Sequence, residues 1–345
     1  MSSDDIIGWD IGGAHLKASC VSATGVVIDA MQVPCTLWRG MDELDRAFDQ
    51  VLALQKNVQR HVVTMTGEMV DFFPDRASGV KAIAEFVANL LGGANVRFYK
   101  GDGEFVMLDQ VCTYAAQIAS ANWRATAECV ALKISDGLLV DMGSTTTDII
   151  PIVAHRVRNQ GHNDATRLVT EELVYTGLTR TPLMAIAERV PFAGETVPLV
   201  AEYFATMADV YRLAGELQEC DDQHPAADNG EKTSSASATR LARMLGRDRA
   251  SAPMADWRAL ACWFRARQFA RLSAACERVA TAANLPLSAT IVGAGVGQFL
   301  LREIAAKTNR NYIEFSDLLS VQNLTKKVVS NVAPAVAVAL LAKRG

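Results

Sequence analysis

Apolar residues along this chain fall into two rhythms, one of period two and one near 3.6, and the switches between them predict alternating strands and helices. Ile6 to Ile11 is a short, β-branched run stopped by Gly12-Gly13. Leu16, Ala18 and Cys20 then alternate, and Val26 to Val33 follows the Thr24-Gly25 turn, so the opening reads as a three-stranded meander. Met41, Leu44, Phe48, Val51 and Leu52 repeat at helical spacing within 41–55, as do Val80, Ile83, Val87, Leu90 and Leu91 further on, with a strand over 61–66 between them. A strand over 96–99 and a helix from Gln110 to about Lys133 complete a first α/β layer, expected to span residues 1–134.

The pattern restarts at Leu138. An apolar strand over 138–142, the turn Gly143-Ser144-Thr145-Thr146 and a strand over 147–153 copy the opening, and Asp10-x-Gly12 is echoed by Asp141-x-Gly143. Two Asp–Gly hairpins at domain-scale separation predict a duplicated α/β fold with a second half over 135–345 and a cleft between the halves. Within that half, 171–215 reads as largely helical, 219–237 as a polar, low-complexity surface excursion and 257–283 as a helix, which places a helical insertion at about 165–285. A strand over 290–292, the turn Gly293-Ala-Gly295-Val-Gly297 and a helix from Phe299 to Lys307 follow. The closing apolar segment, 332–341, predicts a packed terminal helix that crosses back to the first half.

Composition narrows the partners. At 345 residues with 50% hydrophobic and 21% charged residues, the chain can build two cores without metal or disulfide staples. The net charge is −4 and Lys and Arg are scattered, which argues against nucleic acid or an anionic membrane as partner and favours small molecules. No apolar run approaches the ~20 residues of a spanning helix. The acidic start, Met1-Ser-Ser-Asp-Asp, lacks the basic and apolar regions of a secretory leader, so a cytoplasmic location is expected. Seven cysteines without Cys-x-x-Cys spacing read as reduced, buried thiols, and a homo-oligomer is left open.

A strand that ends in Asp and turns through glycine offers bare backbone N–H groups to a phosphate oxyanion. The aspartates cannot touch phosphate directly, but they can hold Mg²⁺, largely through water. Asp10 and Asp141 are therefore candidate metal residues, and Gly12, Gly13, Gly143, Ser144, Thr145 and Thr146 candidate phosphate cradles, although each loop alone reads equally as a plain hairpin turn. Gly293, Gly295 and Gly297, between a strand and a helix, fit as a third phosphate or nucleoside contact, with spacing unlike a dinucleotide fingerprint.

Together the three loops resemble the actin, sugar-kinase and Hsp70 superfamily, whose halves are ribonuclease H-like, with WDIGGAHLK (9–17) as first phosphate loop, LVDMGSTTTDIIPI (139–152) as second and IVGAGVGQFLL (291–301) as adenosine loop. The passages TMTGEMVDFF (64–73), ASANW (119–123), VYTGLTRTPL (174–183), EYFATMADVYRLAGEL (202–217) and DNGEKTSSASATRLARMLGRD (228–248) are similar to the hydantoinase/oxoprolinase-like branch along nearly the whole chain. Within that branch the chain resembles one-carbon pathway proteins linked to tetrahydromethanopterin, similar to the synthases that form the furan–phenol ether in methanofuran or methylofuran synthesis.

The resemblance implies an Mg²⁺-dependent transferase that joins an aminomethylfuran-methyl diphosphate to the phenol of a tyrosine or tyramine derivative and expels diphosphate. Ala14 stands where many kinases of the superfamily carry Thr or Ser, which removes a hydroxyl near the phosphates and argues against ATP in phosphoryl transfer. The implied reaction needs a carboxylate base, for which Asp148, Glu68 and Asp71 are candidates, Asp148 reading equally as a turn-capping residue. Lys17 is a candidate phosphate contact or a solvent-facing strand lysine, and Arg180 a bidentate clamp for carboxylate or phosphate or a surface ion-pair partner. Trp123, Tyr175 and Phe72 can stack on an aromatic ring, with a core role preferred for Trp123. His61, His155, His162 and His224 show no metal-ligand spacing. Two other functions suit the same loops: an ATP-dependent small-molecule kinase or hydantoinase-type ATPase subunit, and a non-catalytic nucleotide-binding regulator.

Overall fold

The computed structural model describes residues 4–52, 58–92 and 95–344. Strand β1 (Ile6–Ile11) is buried on both faces, which is why its sequence is apolar without alternation. It pairs antiparallel with β2 (His15–Val21), which pairs with β3 (Val27–Pro34), and parallel with β4 (Arg60–Met65) on its other side. β5 (Val96–Gly101) and β6 (Glu104–Val106) complete a six-stranded sheet of order β3-β2-β1-β4-β5-β6. Helices α1 (Met41–Leu52) and α2 (Arg76–Leu90) bury Leu44, Phe48 and Val51, and Val80, Ile83 and Val87, in the core behind it.

The second sheet repeats the plan. β7 (Gly137–Met142) pairs antiparallel with β8 (Thr147–Val153), with β9 (Arg156–Val157) and β10 (Leu173–Val174) both on β8, and parallel with β13 (Thr290–Gly295), which pairs with β14 (Tyr312–Glu314). In both sheets the first strand thus lies between its hairpin partner and a parallel strand reached through helices. This is the duplicated ribonuclease H-like fold of the actin-like ATPases, and the predicted cleft separates its two halves. The terminal helix α11 (Ala333–Ala342), almost wholly buried, lies against β1, β2 and β4. Contact is so close that a Cβ at Gly8 would lie 2.0 Å from the Ala335 carbonyl oxygen.

Several expectations are corrected. The stretch 110–133 is broken: α3 (Ala115–Ile118) and α4 (Asn122–Ala131) flank Ser120, whose φ of 51° is incompatible with a continuous helix. Between 171 and 215 lie β10 and a separate hairpin, β11 (Arg189–Phe192) with β12 (Glu195–Pro198), and the one α-helix there is α6 (Met207–Ala214). Pro182, Pro191 and Pro198 deny the stretch a helical N–H ladder, and Ala193-Gly194, both at positive φ, turn the hairpin.

Nor is 219–237 merely a surface excursion. Asp221, Asp222 and His224 are buried, Lys327 pairs with Asp221 at 2.7 Å and Arg212 with Asp222 at 2.6 Å, before α7 (Ser234–Met244) begins. The long α8 (Met254–Ala282) and α9 (Gln298–Lys307) stand where helices were expected. Among the cysteines, Cys112, Cys220 and Cys262 are exposed rather than buried, and all seven are free. No helix among the described residues is long and apolar enough to cross a membrane.

Candidate active site

Equivalent hydrogen bonds close the two hairpin turns. Gly12 N–H donates to the His15 carbonyl at 2.9 Å, and Gly143 N–H donates to that of Thr146 at the same distance. A following loop braces each turn: the N–H groups of Cys35 and Leu37 donate to the carbonyls of Ala14 and Gly13, and those of Leu178, Thr179 and Arg180 donate to the carbonyls of Gly143 and Ser144. Gly177 permits the second brace, because a Cβ there would sit 2.5 Å from the Ser144 carbonyl carbon. Trp38 follows one brace and Arg180 ends the other. They meet across the halves with the guanidinium carbon 4.8 Å from the Trp38 ring centroid.

Between the turns lies a cleft of about 540 Å³, a usual size for a small-molecule site. Asp10, Gly12, Gly13, Lys17, Asp141, Gly143, Ser144, Thr145, Thr146, Asp148, Arg180 and Gly295 all line it. Gly293 and Gly297 do not. A Cβ at Gly293 would meet the Tyr312 ring and one at Gly297 the Met142 side chain, so packing within the protein requires glycine at both. Gly295, at φ 80°, admits close passage of β13 beside Met142 and Asp141. Glu68 lies one layer back, 1% exposed, and reaches the cleft through Ser120, whose hydroxyl donates to Glu68 Oε1 at 2.6 Å. Asp71 and Tyr175 line the cleft, whereas Phe72 does not.

Charge concentrates where the hairpins face one another. Asp10 and Lys17 are cross-strand partners on β1 and β2, with Lys17 Nζ 3.3 Å from Asp10 Oδ2. Asp141 and Asp148 are cross-strand partners on β7 and β8. Burial pushes the Asp141 carboxyl up to about 7; Lys17 opposes this, while Asp148 and Asp10 add to it. Burial also raises Asp10 and Asp148 against the opposing pull of Lys17 and Arg167 respectively. For Lys17 burial favours loss of the proton, but Asp10, Asp141 and Asp148 outweigh it and the ammonium is held charged. It is therefore a half-buried counter-ion in the cleft wall rather than a lysine standing free in solvent. Glu68, buried with Oε2 unpaired, is likewise raised by burial.

Sequence reasoning missed several residues here. Arg167, 1% exposed on α5 (Asp164–Thr170), donates to Asp148 Oδ1 at 2.7 Å and stacks over Trp123 at 4.0 Å. Trp123 therefore joins the core and the cleft wall at once. Asn122 Nδ2 donates to Asp10 Oδ1 at 3.4 Å, and Asp164 pairs with Arg76 at 2.7 Å. His15 faces His224 edge-on at 4.7 Å, and burial, with His224, Lys17 and Arg180 nearby, holds it neutral. The ASANW passage contained Asn122 and Ser120. Nothing in the pattern around Arg167 distinguished it from a surface arginine.

A sequence profile described as hydantoinase/oxoprolinase matches residues 59–343. The chain belongs to the hydantoinase/oxoprolinase family. Over 245 residues it is 34% identical to a Methanocaldococcus jannaschii protein named (4-{4-[2-(gamma-L-glutamylamino)ethyl]phenoxymethyl}furan-2-yl)methanamine synthase, covering 71% of this chain and 72% of that one. A Methanococcus vannielii synthase of the same name is 35% identical over 111 residues, 32% of this chain and half of its relative. Among solved structures, a ROK family glucokinase from Streptomyces griseus aligns at 13% identity with a TM-score of 0.48, over 99% of this chain and all of the other. At that similarity the fold assignment is carried by the strand orders themselves.

Proposed function

We propose that this family member is an ether-forming transferase of methanofuran or methylofuran synthesis in one-carbon metabolism. It would join an aminomethylfuran-methyl diphosphate to the phenol of a tyrosine or tyramine derivative. The observation that carries this reading is the 34% identity to the methanamine synthase along most of both chains. The two glycine turns facing Lys17 and three carboxylates across one cleft suit its chemistry. We take the halves to divide near residues 134 and 135.

The reaction is a substitution at the furanyl methylene. The phenol oxygen forms a bond to that carbon, the carbon–oxygen bond to the diphosphate breaks with its electron pair leaving on diphosphate, and the phenol proton goes to a carboxylate. Gly12, Gly13 and the Ser144–Thr146 turn would hold the diphosphate through N–H and O–H donors, with Lys17 as cation beside it. Asp148, kept basic but desolvated beside Arg167, would accept the proton, with Glu68 holding the cleft wall through Ser120.

The donor set fits Mg²⁺. Among the described residues no cluster of three or more potential ligands could cage a metal, but Mg²⁺ is usually held by one or two carboxylates, water and substrate phosphates. Asp10 and Asp141 are crowded carboxylates that Lys17 leaves incompletely neutralised, and they would hold it. When bound, the ion would offset charge on the departing diphosphate.

The test has two arms. Incubation with both substrates and Mg²⁺ should yield the ether and one diphosphate per turnover. In melting curves, inorganic diphosphate with Mg²⁺ should stabilise the protein by about 2.7 kcal/mol at ~100 times its dissociation constant, and ATP should stabilise it less. Consumption of ATP with a small alcohol or acid, and no ether, would replace this reading with the kinase.

A further inference from the structure

A second cavity, of about 210 Å³, adjoins the cleft, and Trp38 and Arg180 line both. Its remaining charged walls are largely satisfied. Asp209 accepts from Ser237, Arg240 and the Thr206 N–H. Asp222 is held by Arg212 at 2.6 Å and Lys232 at 3.5 Å, and Arg212 also binds Glu219.

Arg180 differs from these groups. Among the described residues it forms no ion pair with a carboxylate, although it is half-buried. One N–H group donates to Thr145 Oγ1 at 3.2 Å, and the face of the guanidinium lies on Trp38. A stacked guanidinium keeps its in-plane N–H fork available, which matches the two oxygens of a carboxylate. Tyr203 and the exposed Arg39 line the same cavity, so among the described residues it combines two cations without a carboxylate ion pair, Arg180 and Arg39, with aromatic surface.

We propose that the second cavity receives the carboxylate-bearing tail of the aromatic acceptor, with Arg180 gripping the carboxylate and Trp38 and Tyr203 flanking the chain that leads to the phenol. This rests on the ether-synthase reading and extends it to the acceptor. Diphosphate fits the cavity less well. It already has two glycine turns and Lys17 lining the main cleft, while the second cavity holds no glycine turn.

The experiment compares tyramine, which has no carboxylate, with tyrosine and γ-glutamyltyramine as acceptors for wild type, Arg180→Gln and Arg180→Lys, after melting curves show each variant folded. Wild type should use at least one carboxylated acceptor about ten-fold or more better than tyramine in kcat/KM, as a charge-assisted hydrogen-bond pair predicts. Arg180→Gln should shrink that preference to about two-fold or less through the acceptor KM, and Arg180→Lys should retain part of it. Equal use of all three acceptors by wild type overturns the inference, as does an Arg180→Gln effect confined to the KM of the diphosphate donor. If wild type forms no ether, the transferase reading fails on its own. The cavity is then judged by calorimetry, where γ-glutamyltyramine or tyrosine should bind wild type and not Arg180→Gln, and absence of binding to wild type sinks it too.

Discussion

Lys17 Nζ lies 3.3 Å from Asp10 Oδ2 across the β1–β2 ladder, and the equivalent cross-strand pair of the second hairpin is Asp141 with Asp148. The duplication thus preserves the position of the first carboxylate and inverts the charge of its partner. Lys17 faces Asp10 and Asp141 while Arg167 holds Asp148, so these three carboxylates outnumber their two cations whenever all are ionised.

Removing that ammonium should be costly in a pH-dependent way. Lys17→Met leaves Asp10 buried without its cation, a defect typically worth about 3–5 kcal/mol. Protonating the carboxylate relieves it, so the loss should be largest near pH 8 and shrink toward pH 5. Urea denaturation of both proteins across that range checks this, and a pH-independent difference counts against the pairing.

Asp141 makes the opposite prediction for stability. Its folded carboxyl titrates at about 7, above the ordinary 3.8. Its contribution is therefore fully present below the unfolded value and lost as pH rises through about 7. Asp141→Asn removes the cost of ionising it and should stabilise the ligand-free protein at pH 8, by an amount on the order of a few kcal/mol, with little effect near pH 4. The same change should sharply lower turnover. A lower melting temperature at pH 8 would contradict the first expectation, and unchanged turnover the second.

The strand–turn pattern carried the sheets and the two hairpins because Asp10-x-Gly12 and Asp141-x-Gly143 join local turn chemistry to flanking β-branched runs. Long-range geometry was not legible. Arg167 meets Asp148 and Trp123 through packing between elements distant in sequence, and Trp38 meets Arg180 through the braces on opposite halves. The helical reading of 171–215 failed where apolar spacing outweighed Pro182, Pro191 and Ala193-Gly194, residues that dictate turns whatever their neighbours do. Gly293 and Gly297 lie outside the cleft lining, and a glycine needed for packing against Tyr312 or Met142 looks, in sequence, like one needed for a ligand.

His61 provides a test away from the cleft. Trp9 Nε1–H donates to its Nδ1 at 3.2 Å, and burial lowers its pKa to about 4, with the Val58 backbone opposing. A depressed pKa contributes stability that is present above 6.5 and lost as pH falls toward about 4. His61→Asn keeps an acceptor for Trp9 but cannot be protonated, so the acid-side slope of stability between those limits should become shallower. His15 and His224, also lowered by burial, retain their share. An unchanged slope would show that His61 is not held neutral.

The last prediction separates two glycines that the sequence presents alike. At Gly8 a Cβ would lie 2.0 Å from the Ala335 oxygen and 3.0 Å from its carbonyl carbon, both backbone atoms of α11, so neither can swing aside. Gly8→Ala must push the terminal helix off β1, and overpacking of this kind costs about 1–3 kcal/mol, more where backbone must move. At Gly143 the nearest such atom is the Thr146 oxygen at 3.5 Å, an ordinary contact, and its backbone needs no left-handed conformation. Gly143→Ala should therefore leave the ligand-free melting temperature within a few degrees of wild type. Yet its methyl group enters the turn assigned to diphosphate, and Gly143→Val enters further. Calorimetric titration with Mg²⁺ and inorganic diphosphate should show binding to wild type, weaker binding to Gly143→Ala and none to Gly143→Val, while folded Gly8→Ala protein binds as wild type does. Equal diphosphate affinity in wild type and Gly143→Val would remove the second hairpin from the phosphate site and leave it a structural turn.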